Sequence, residues 1–221
     1  MEKKSGSKKG LWLGLGVVGV AVAAVMLLHG NGESAKSASG ITTVNVGSGN
    51  DGQPFGYLDK DGKPAGMDIA LIQAIDKKLP QYKFKLVLSD FPTLITNLKS
   101  GKTDMALYQI EKNAEREQDF KFGQVGYTVW DTLLATQSAT GKLNSFADAK
   151  GKKLYITNST NQATLTDAYL KDHPDAFSVV RGTYTTEQIA QGFKSGQFNV
   201  YPAPKYSNLI EWQNKSILKE A

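Results

Sequence analysis

Apolar and polar residues alternate in a regular order from about residue 42 onward. Runs such as "YKFKLVL" have the two-residue period of a β-strand, whereas "GMDIALIQAIDKK" spaces its apolar residues as an amphipathic helix does. The expected buried face of that helix consists of Met67, Leu71, Ala74 and Ile75. The pattern predicts strand, helix, strand, helix and strand at residues 42–48, 66–78, 82–88, 91–101 and 103–109.

The same order of elements occurs a second time. Strands are predicted at 153–157, 177–180 and 197–202, with helices at 161–173 and 186–196. An offset of 95 residues carries Gly66 to Asn161, Tyr82 to Phe177, and the first "KSG" to the second. The chain therefore predicts two lobes of like build.

Strands that alternate with helices of this length are typical of a parallel sheet covered by helices on both faces. The fold class is therefore α/β, with two β-α-β-α-β lobes, lobe 1 at residues 41–133 and the crossover with lobe 2 at 134–221. Ligands bind such sheets beyond the carboxyl ends of the strands, so a cleft is expected between the lobes. Hinge motion is expected around residues 129–137.

The N-terminal residues 1–40 predict an export signal or a membrane anchor with a linker. Four lysines are followed by 18 uncharged, mostly apolar residues, a length between a secretory signal and a transmembrane helix. In both cases the rest of the chain lies outside the cytoplasmic membrane. Residues 1–40 also carry five lysines against two glutamates, most of the +5 net charge, so nucleic acid is not an expected partner.

The chain contains no cysteine, and its two histidines, His29 and His173, have no second histidine or carboxylate cluster at ligand spacing. Disulfides, a cysteine-linked lipid, a metal site and a cofactor are therefore not expected. His173 beside Pro174 is read as a helix-end residue.

Two segments carry a resemblance to a known family. Residues 54–75, "PFGYLDKDGKPAGMDIALIQAI", and 91–116, "FPTLITNLKSGKTDMALYQIEKNAER", resemble motifs of the extracytoplasmic solute-binding proteins of polar amino acid ABC importers, which have the type II periplasmic-binding-protein fold. The similarity runs from residue 41 to about 213 and is nearest to cystine-type members. It implies a small polar ligand, ABC permease subunits as partners and delivery by lobe closure.

The resemblance assigns a carboxylate clamp to Arg116, helped by the backbone near Tyr108 and Gln109. A guanidinium suits this role because its planar fork of donors pairs both oxygens of a carboxylate. The alternative is a solvated arginine in a mixed-charge run. In the second lobe, Thr160 and Asn161 match the strand-to-helix turn that meets the same carboxylate, although an ordinary helix cap explains them equally well.

Aromatic and acidic residues complete the candidate site. The resemblance gives Phe55, Tyr57 and Phe91 as walls around the ligand side chain, and each is also a reasonable core residue. Asp51 is a candidate contact for the polar end or the amine of the ligand, or else a turn residue in "GNDGQ".

The sequence departs from the family in two ways. Pro204 stands where most members hold the ligand amine with an aspartate, and Asn199 replaces the usual acid of the preceding turn. Glu111, at a position that is commonly a small hydroxyl residue, is the candidate replacement for the amine contact, unless the ligand is not a free α-amino acid or Glu111 only points into water. The chain also ends sooner than a family member, so an incomplete second lobe is expected.

Two further function classes share this fold. A dehydratase would use a cleft carboxylate such as Glu111 as general acid, and a sensor ectodomain would need a cytoplasmic output domain. The leading interpretation has no catalytic residues: a protein that binds a polar amino acid or a small derivative.

Overall fold

The computed structural model describes residues 27–28, 40–128, 132–136 and 143–204. The strands within these residues are β1 (Leu27–Leu28), β2 (Thr42–Gly49), β3 (Asp51–Gly52), β4 (Gly56–Leu58), β5 (Pro64–Ala65), β6 (Tyr82–Ser89), β7 (Met105–Ala106), β8 (Phe120–Lys121), β9 (Thr132–Thr136), β10 (Lys153–Thr157), β11 (Ser178–Gly182) and β12 (Val200–Pro204). The helices are α1 (Met67–Lys78), α2 (Phe91–Lys99), α3 (Arg116–Asp119), α4 (Asn161–Asp172) and α5 (Thr186–Ser195), with a 3-10 turn at Phe146–Ala149.

The first lobe is built on a parallel sheet in the order β6-β2-β7. Helix α1 packs on one face, where Ile72 meets Val46, and α2 packs on the other, where Leu94 and Leu98 meet Ala106. Adjacent residues of a strand point to opposite faces, so a sheet covered on both sides needs continuous apolar strands. A small antiparallel sheet, β3-β4-β5, joins β2 to α1.

The second lobe repeats this arrangement. Its sheet has the order β11-β10-β12-β9, in which the first three strands are parallel and β9 pairs antiparallel with β12. The order β11-β10-β12 matches β6-β2-β7, so the predicted repeat and the α/β class are confirmed. β9, which covers Thr132–Thr136 of the predicted hinge, lies in this second sheet; the remainder of 129–137 falls outside the described residues.

The repeat extends to single hydrogen bonds. In the first lobe the Asp104 carboxylate accepts a bond from the Asn45 backbone N–H at 2.6 Å, and in the second the Asn199 side-chain oxygen accepts one from the Lys153 N–H at 2.9 Å. Both bonds fasten the start of the last strand to the first strand of its lobe. Asn199 therefore retains a structural role that needs only an acceptor oxygen.

Two details of the prediction are wrong. The buried face of α1 consists of Asp68, Ile69 and Ile72, while Met67 is 41% exposed. Leu71 and Ile75 are only partly buried, and Ala74 is exposed. The helix is rotated relative to the predicted face because Asp68 takes a core position, where side chains distant in the sequence bind it.

The third strand is also shorter than predicted, Met105–Ala106 instead of 103–109. Gln109 has a positive φ of 48°, which a strand cannot contain, so the chain leaves the sheet before that residue. The departure brings residues 108–116 to the carboxyl edge of the sheet.

None of the helices among the described residues is both long and apolar enough to cross a membrane. Apart from Leu27, Leu28 and Gly40, the predicted leader at 1–40 lies outside those residues.

Candidate functional site

A cavity of about 190 Å³ lies between the two lobes. Its walls come from the carboxyl ends of the strands and from the starts of α2, α4 and α5, which is the location that the parallel sheets predict. Nine of the ten predicted site residues line it: Asp51, Phe55, Phe91, Tyr108, Gln109, Glu111, Arg116, Thr160 and Asn161.

Tyr57 is the predicted residue that the structure does not bring to the cavity. It lies half-buried in β4, where its backbone pairs with Asp51 and Ala65. Phe55 precedes the strand, in a turn closed by its backbone N–H on the Gly52 carbonyl at 2.8 Å, so Phe55 and Tyr57 do not lie on one strand.

Arg116 is 7% exposed and contacts both lobes. Its Nη1 donates to the Glu111 carbonyl at 2.6 Å in the first lobe, and its Nη2 donates to the Ser159 carbonyl at 2.8 Å in the second. The guanidinium carbon lies 5.4 Å from the centroid of the Phe91 ring, a cation–π contact. A guanidinium has five N–H donors, and two of them are used by these carbonyls.

The environment of Arg116 favours a charge-paired state. Burial lowers the pKa of Arg116, while the carboxylates of Glu111 and Glu115 raise it. Arginine remains a cation under such shifts because its ordinary pKa is so high. The structure therefore holds a buried positive charge at the boundary between the lobes, and a solvated arginine does not describe this residue.

Thr160 caps α4. Its hydroxyl oxygen accepts a bond from the Ala163 N–H at 3.2 Å and its hydroxyl donates to the Thr157 carbonyl at 2.8 Å. Ser159, just before it, has a positive φ of 62° and turns its carbonyl toward Arg116. The cap thus explains Thr160 structurally, while the free backbone amides at the start of α4 still favour an anion at this point.

Glu111 lies against the first turn of α4. Its two carboxylate oxygens accept bonds from Asn161 Nδ2 and Gln162 Nε2, both at 3.4 Å, and Asn161 Oδ1 accepts a bond from Asn113 at 3.2 Å. Burial raises the pKa of Glu111, and the nearby charge of Arg116 and the two amides lower it. The side chain therefore joins the lobes and does not point only into water.

The Tyr108 side chain packs directly against the backbone of two glycines, Gly49 and Gly52. A Cβ atom added at Gly49 would lie 1.9 Å from its ring, and one added at Gly52 would lie 2.2 Å from its hydroxyl. The absence of side chains at these positions lets the ring lie flat on β2 and β3. From there Tyr108 donates to Asp51 Oδ1 at 3.2 Å and packs 6.2 Å from Phe91.

Asp51 lies at the other end of this aromatic pair from Arg116. Burial raises the pKa of Asp51, the hydrogen bond from Tyr108 lowers it, and the negative charges of Asp90 and Glu187 raise it. Asp90 itself caps α2, since its carboxylate accepts a bond from the Thr93 N–H at 2.9 Å.

Gln109 turns its side chain into a buried polar network behind the cavity. Its amide nitrogen donates to Asp68 at 2.8 Å and to the Tyr127 hydroxyl at 2.9 Å, and Tyr127 also donates to Asp68. Burial raises the pKa of Asp68, which is fully inaccessible, and that of Tyr127. The network ties α1 to the loop after β7 and to the chain that leaves the first lobe.

The second lobe supplies cavity residues that the sequence interpretation missed, among them Thr157, Gln162, Thr183, Tyr184 and Tyr201. Tyr184 stacks on Tyr155 with centroids 4.8 Å apart. The repeat could have indicated this edge, since the 95-residue offset takes Asp90, the cap of α2, to Thr185, the cap of α5.

Among the residues that the structure describes, the charged side chains that line the cavity are three carboxylates, Asp51, Asp90 and Glu111, and one guanidinium, Arg116. Within the part of the chain that the structure describes, no group of three His, Asp or Glu residues could hold a metal ion.

The sequence profile described as "Bacterial extracellular solute-binding proteins, family 3" matches residues 44–219. The L-cystine-binding protein TcyK of Bacillus subtilis (strain 168) is 28% identical over 181 residues, which are 81% of this chain and 66% of TcyK. TcyJ, another L-cystine-binding protein of that organism, is 28% identical over 200 residues, 89% of this chain and 74% of TcyJ. The chain thus spans about two thirds to three quarters of these relatives.

Solved structures agree with this similarity. A putative L-cystine ABC transporter protein from Listeria monocytogenes superposes with a TM-score of 0.71 at 30% identity, covering 80% of this chain and 74% of that one. An ancestral arginine-binding protein bound to arginine superposes with a TM-score of 0.65 at 26% identity, covering 80% and 77%.

Proposed function

This chain belongs to the bacterial extracellular solute-binding proteins of family 3, and from that membership we propose that it is the substrate-binding component of an ABC importer for a polar amino acid or a small derivative. Two relatives with similarity over most of the chain are named as L-cystine-binding proteins, and a structural neighbour was solved with arginine. The ligand binds between the lobes, and the closed protein delivers it to a permease.

The observation that carries the proposal is Arg116, a buried cation that donates to a carbonyl of each lobe and also lines the cavity. A ligand carboxylate in the cavity meets the guanidinium and the amides at the start of α4. Since both lobes contribute to this anion site, the ligand stabilises their closed arrangement more than their separated one.

The amine of the ligand requires a carboxylate nearby. Glu111 is the cavity acid closest in sequence to Arg116, and its charge acts on Arg116. We therefore assign the amine contact to Glu111, whose long bonds of 3.4 Å to the two amides of α4 are easily exchanged for a shorter bond to an ammonium.

The proposed protein acts without catalysis. Glu111, the carboxylate that a dehydratase would use as general acid, is assigned in this proposal to binding the ligand ammonium. Export through the N-terminal segment, with cleavage or retention of that segment, completes the proposal, because a binding protein works on the outer side of the membrane that holds its permease.

The first test is a thermal-shift screen of the full chain in mild detergent against the common amino acids, cystine and small dipeptides. A ligand present at about 100 times its dissociation constant adds roughly 2.7 kcal/mol to the free energy of unfolding, which raises the melting temperature by several degrees. Stabilisation by one or a few amino acids is expected. A cooperative melt that none of these compounds shifts would contradict the proposal.

A further inference from the structure

The first lobe has exposed apolar side chains at the edge opposite the cavity. The strands β2 and β6 begin at this edge, with Thr42 and Tyr82 in register, and α1 ends beside them. Ile41 is 38% exposed, Leu79 36% and Tyr82 39%. Two backbone bonds connect the segments: the Tyr82 N–H donates to the Leu79 carbonyl at 2.9 Å, and the Thr42 N–H donates to the Gln81 carbonyl at 3.0 Å. The three apolar side chains therefore lie at one edge of the lobe.

Lysines lie around these apolar side chains. Four lysines in the segments at this edge are exposed: Lys77, Lys78, Lys83 and Lys102. Among the described residues, none of the four forms an ion pair. Two acids of the same edge are bonded to backbone, since Asp76 accepts from the Phe84 N–H at 2.9 Å and Asp104 from the Asn45 N–H at 2.6 Å. We call the three apolar side chains and the four lysines the basal surface, which is positively charged.

The two ends of the first lobe thus differ in charge. The carboxyl ends of its strands carry the cavity acids Asp51, Asp90 and Glu111 together with the single cation Arg116. The opposite end carries the exposed lysines of the basal surface. A negatively charged plane attracts the basal surface and repels the cavity end. An anionic bilayer would therefore orient the lobe with its cavity toward the medium.

The predicted leader meets the lobe at the same edge. Its apolar run ends at Leu28, and residues 29–40, which connect it to Ile41, span at most about 45 Å when fully extended. The strand β1 at the end of this run pairs with β8, and Asp119, just before β8, accepts a bond from Lys99 at 2.7 Å. Lys99 ends α2, which leads from the carboxyl end of β6 to the start of β7 and so ends at the basal edge. A leader held in a bilayer would keep the basal surface near lipid at high local concentration.

We propose that the basal surface of the first lobe binds an anionic lipid bilayer, and that this contact keeps the cavity facing the medium from which the ligand arrives. The lysine ammonium groups pair with lipid phosphates, while Ile41, Leu79 and Tyr82 enter the boundary between headgroups and acyl chains. Tyrosine suits this boundary because its ring is apolar and its hydroxyl is polar. The inference rests on the export included in the proposed function, and it is independent of which ligand binds.

The test measures which end of the first lobe contacts lipid. Because the chain contains no cysteine, one introduced cysteine can carry a fluorescent label. Gln81→Cys places the label at the basal edge, and Lys60→Cys places it in the exposed turn between β4 and β5, beyond the carboxyl end of β2. The full chain is reconstituted in vesicles that contain phosphatidylglycerol and a lipid with a nitroxide at its headgroup, or in vesicles of phosphatidylcholine with the same nitroxide lipid.

The label at Gln81 should be quenched at least about threefold more than the label at Lys60 in the anionic vesicles, and about equally in phosphatidylcholine. High salt should remove most of the difference, because exposed charges are screened.

Neutralised lysines identify the groups responsible. The combined change Lys77→Gln, Lys78→Gln and Lys83→Gln should reduce quenching at Gln81 to the level in phosphatidylcholine. The matched control neutralises three exposed lysines of the second lobe, Lys150→Gln, Lys171→Gln and Lys194→Gln, and should leave the quenching unchanged. Circular dichroism of both triple variants shows that the fold is retained.

The outcomes separate this inference from the proposed function. Equal quenching of the two labels in anionic vesicles, or quenching at Gln81 that persists without the basal lysines, would overturn the inference while solute binding stands. Shielding of the Gln81 label that grows with protein concentration in the absence of lipid would also overturn it, because a second copy of the chain would then cover this surface. If no ligand binds, the proposed function fails alone, since the quenching measurement needs no ligand.

Discussion

At the scale of single residues, the environment of Glu111 is not that of an ordinary surface acid. Its carboxylate lies between the lobes, in contact with Asn161 and Gln162, and burial raises its pKa. Buried carboxylates of this kind are stabilised by any cation that approaches them. A ligand ammonium would supply that cation.

Glu111→Gln should therefore weaken binding of the amino acid ligand by about tenfold, because a neutral amide cannot pair with an ammonium. The matching ligand that lacks its α-amino group should bind the variant and the unmodified protein equally. Calorimetric titration of both ligands into both proteins measures the interaction energy between Glu111 and the α-amino group of the ligand directly. Equal loss of affinity for the two ligands would mean that Glu111 supports the lobes and does not bind the amine.

Asp68 is a second buried acid, and it affects stability more than binding. Burial raises the pKa of Asp68 above its usual value of 3.8. As the pH falls, the Asp68 carboxylate is therefore protonated at a higher pH in the folded chain than in the unfolded chain. Its contribution to the free energy of unfolding is complete at acid pH and is lost as the pH rises through the folded-state pKa.

Asp68→Asn should remove the pH dependence that the Asp68 carboxyl gives to the free energy of unfolding. In urea unfolding between acid and neutral pH, the stability of the unmodified protein relative to the variant should decrease as the pH rises from about 4. Asp61→Asn, an exposed acid, serves as the control and should run parallel to the unmodified protein. If the stability of Asp68→Asn runs parallel to that of the unmodified protein across this pH range, the hydrogen bonds from Gln109 and Tyr127 fully offset the effect of burial on the pKa of Asp68.

At the scale of elements, the loop after β7 packs on β2 through the Tyr108 ring, which lies against Gly49. The ring occupies the space above Gly49, where a Cβ would lie 1.9 Å from a ring atom. Such close contact leaves no room for even one methyl group unless the ring moves.

Gly49→Ala should lower the free energy of unfolding by about 1 to 3 kcal/mol, the usual cost of overpacking. Tyr108→Ala in the same chain should relieve that cost, so the double variant should be more stable than the sum of the single changes predicts. Urea unfolding of the two single variants and the double variant measures this coupling. Additive changes would mean that the ring does not rest on Gly49.

The elements also show how far the sequence could predict this protein. Periodicity located α1, α2, α4 and α5 to within two residues at each end, and the Asp90 and Thr185 caps mark the starts of α2 and α5 in the sequence itself. The short third strand could not be predicted, since the positive φ of Gln109 is stabilised by distant partners, Asp68 and Tyr127.

In the site, too, the residues marked by a local motif could be predicted, and those that depend on distant contacts could not. Arg116, Phe91 and Glu111 lie in a contiguous motif, so the resemblance could point to them. Tyr184 could not be chosen from its surroundings in the sequence, because its place at the cavity depends on stacking with Tyr155 across the second sheet. The role of Glu111 as a link between lobes likewise depends on side chains 50 residues away.

At the scale of the whole molecule, the lobes meet through hydrogen bonds between residues 111–116 of the first and 159–164 of the second. Besides the bonds of Arg116 and Glu111, Asn113 donates to Asn161 at 3.2 Å and Thr164 donates to Glu115 at 3.5 Å. Within the described part of the chain these bonds are few, and the bond between Thr164 and Glu115 is exposed, so they stabilise closure only modestly. A ligand that binds both lobes provides the larger share.

The most direct measurement of the central claim is calorimetric titration of the tightest amino acid ligand into the unmodified chain and into Arg116→Lys. Lysine keeps the charge but loses the planar fork that pairs a carboxylate and spans two carbonyls, so affinity should fall by at least about tenfold. Arg181→Lys, which changes a surface arginine paired with Asp167, should bind normally. Unchanged affinity in Arg116→Lys would contradict the account, because the ligand carboxylate would then be held elsewhere.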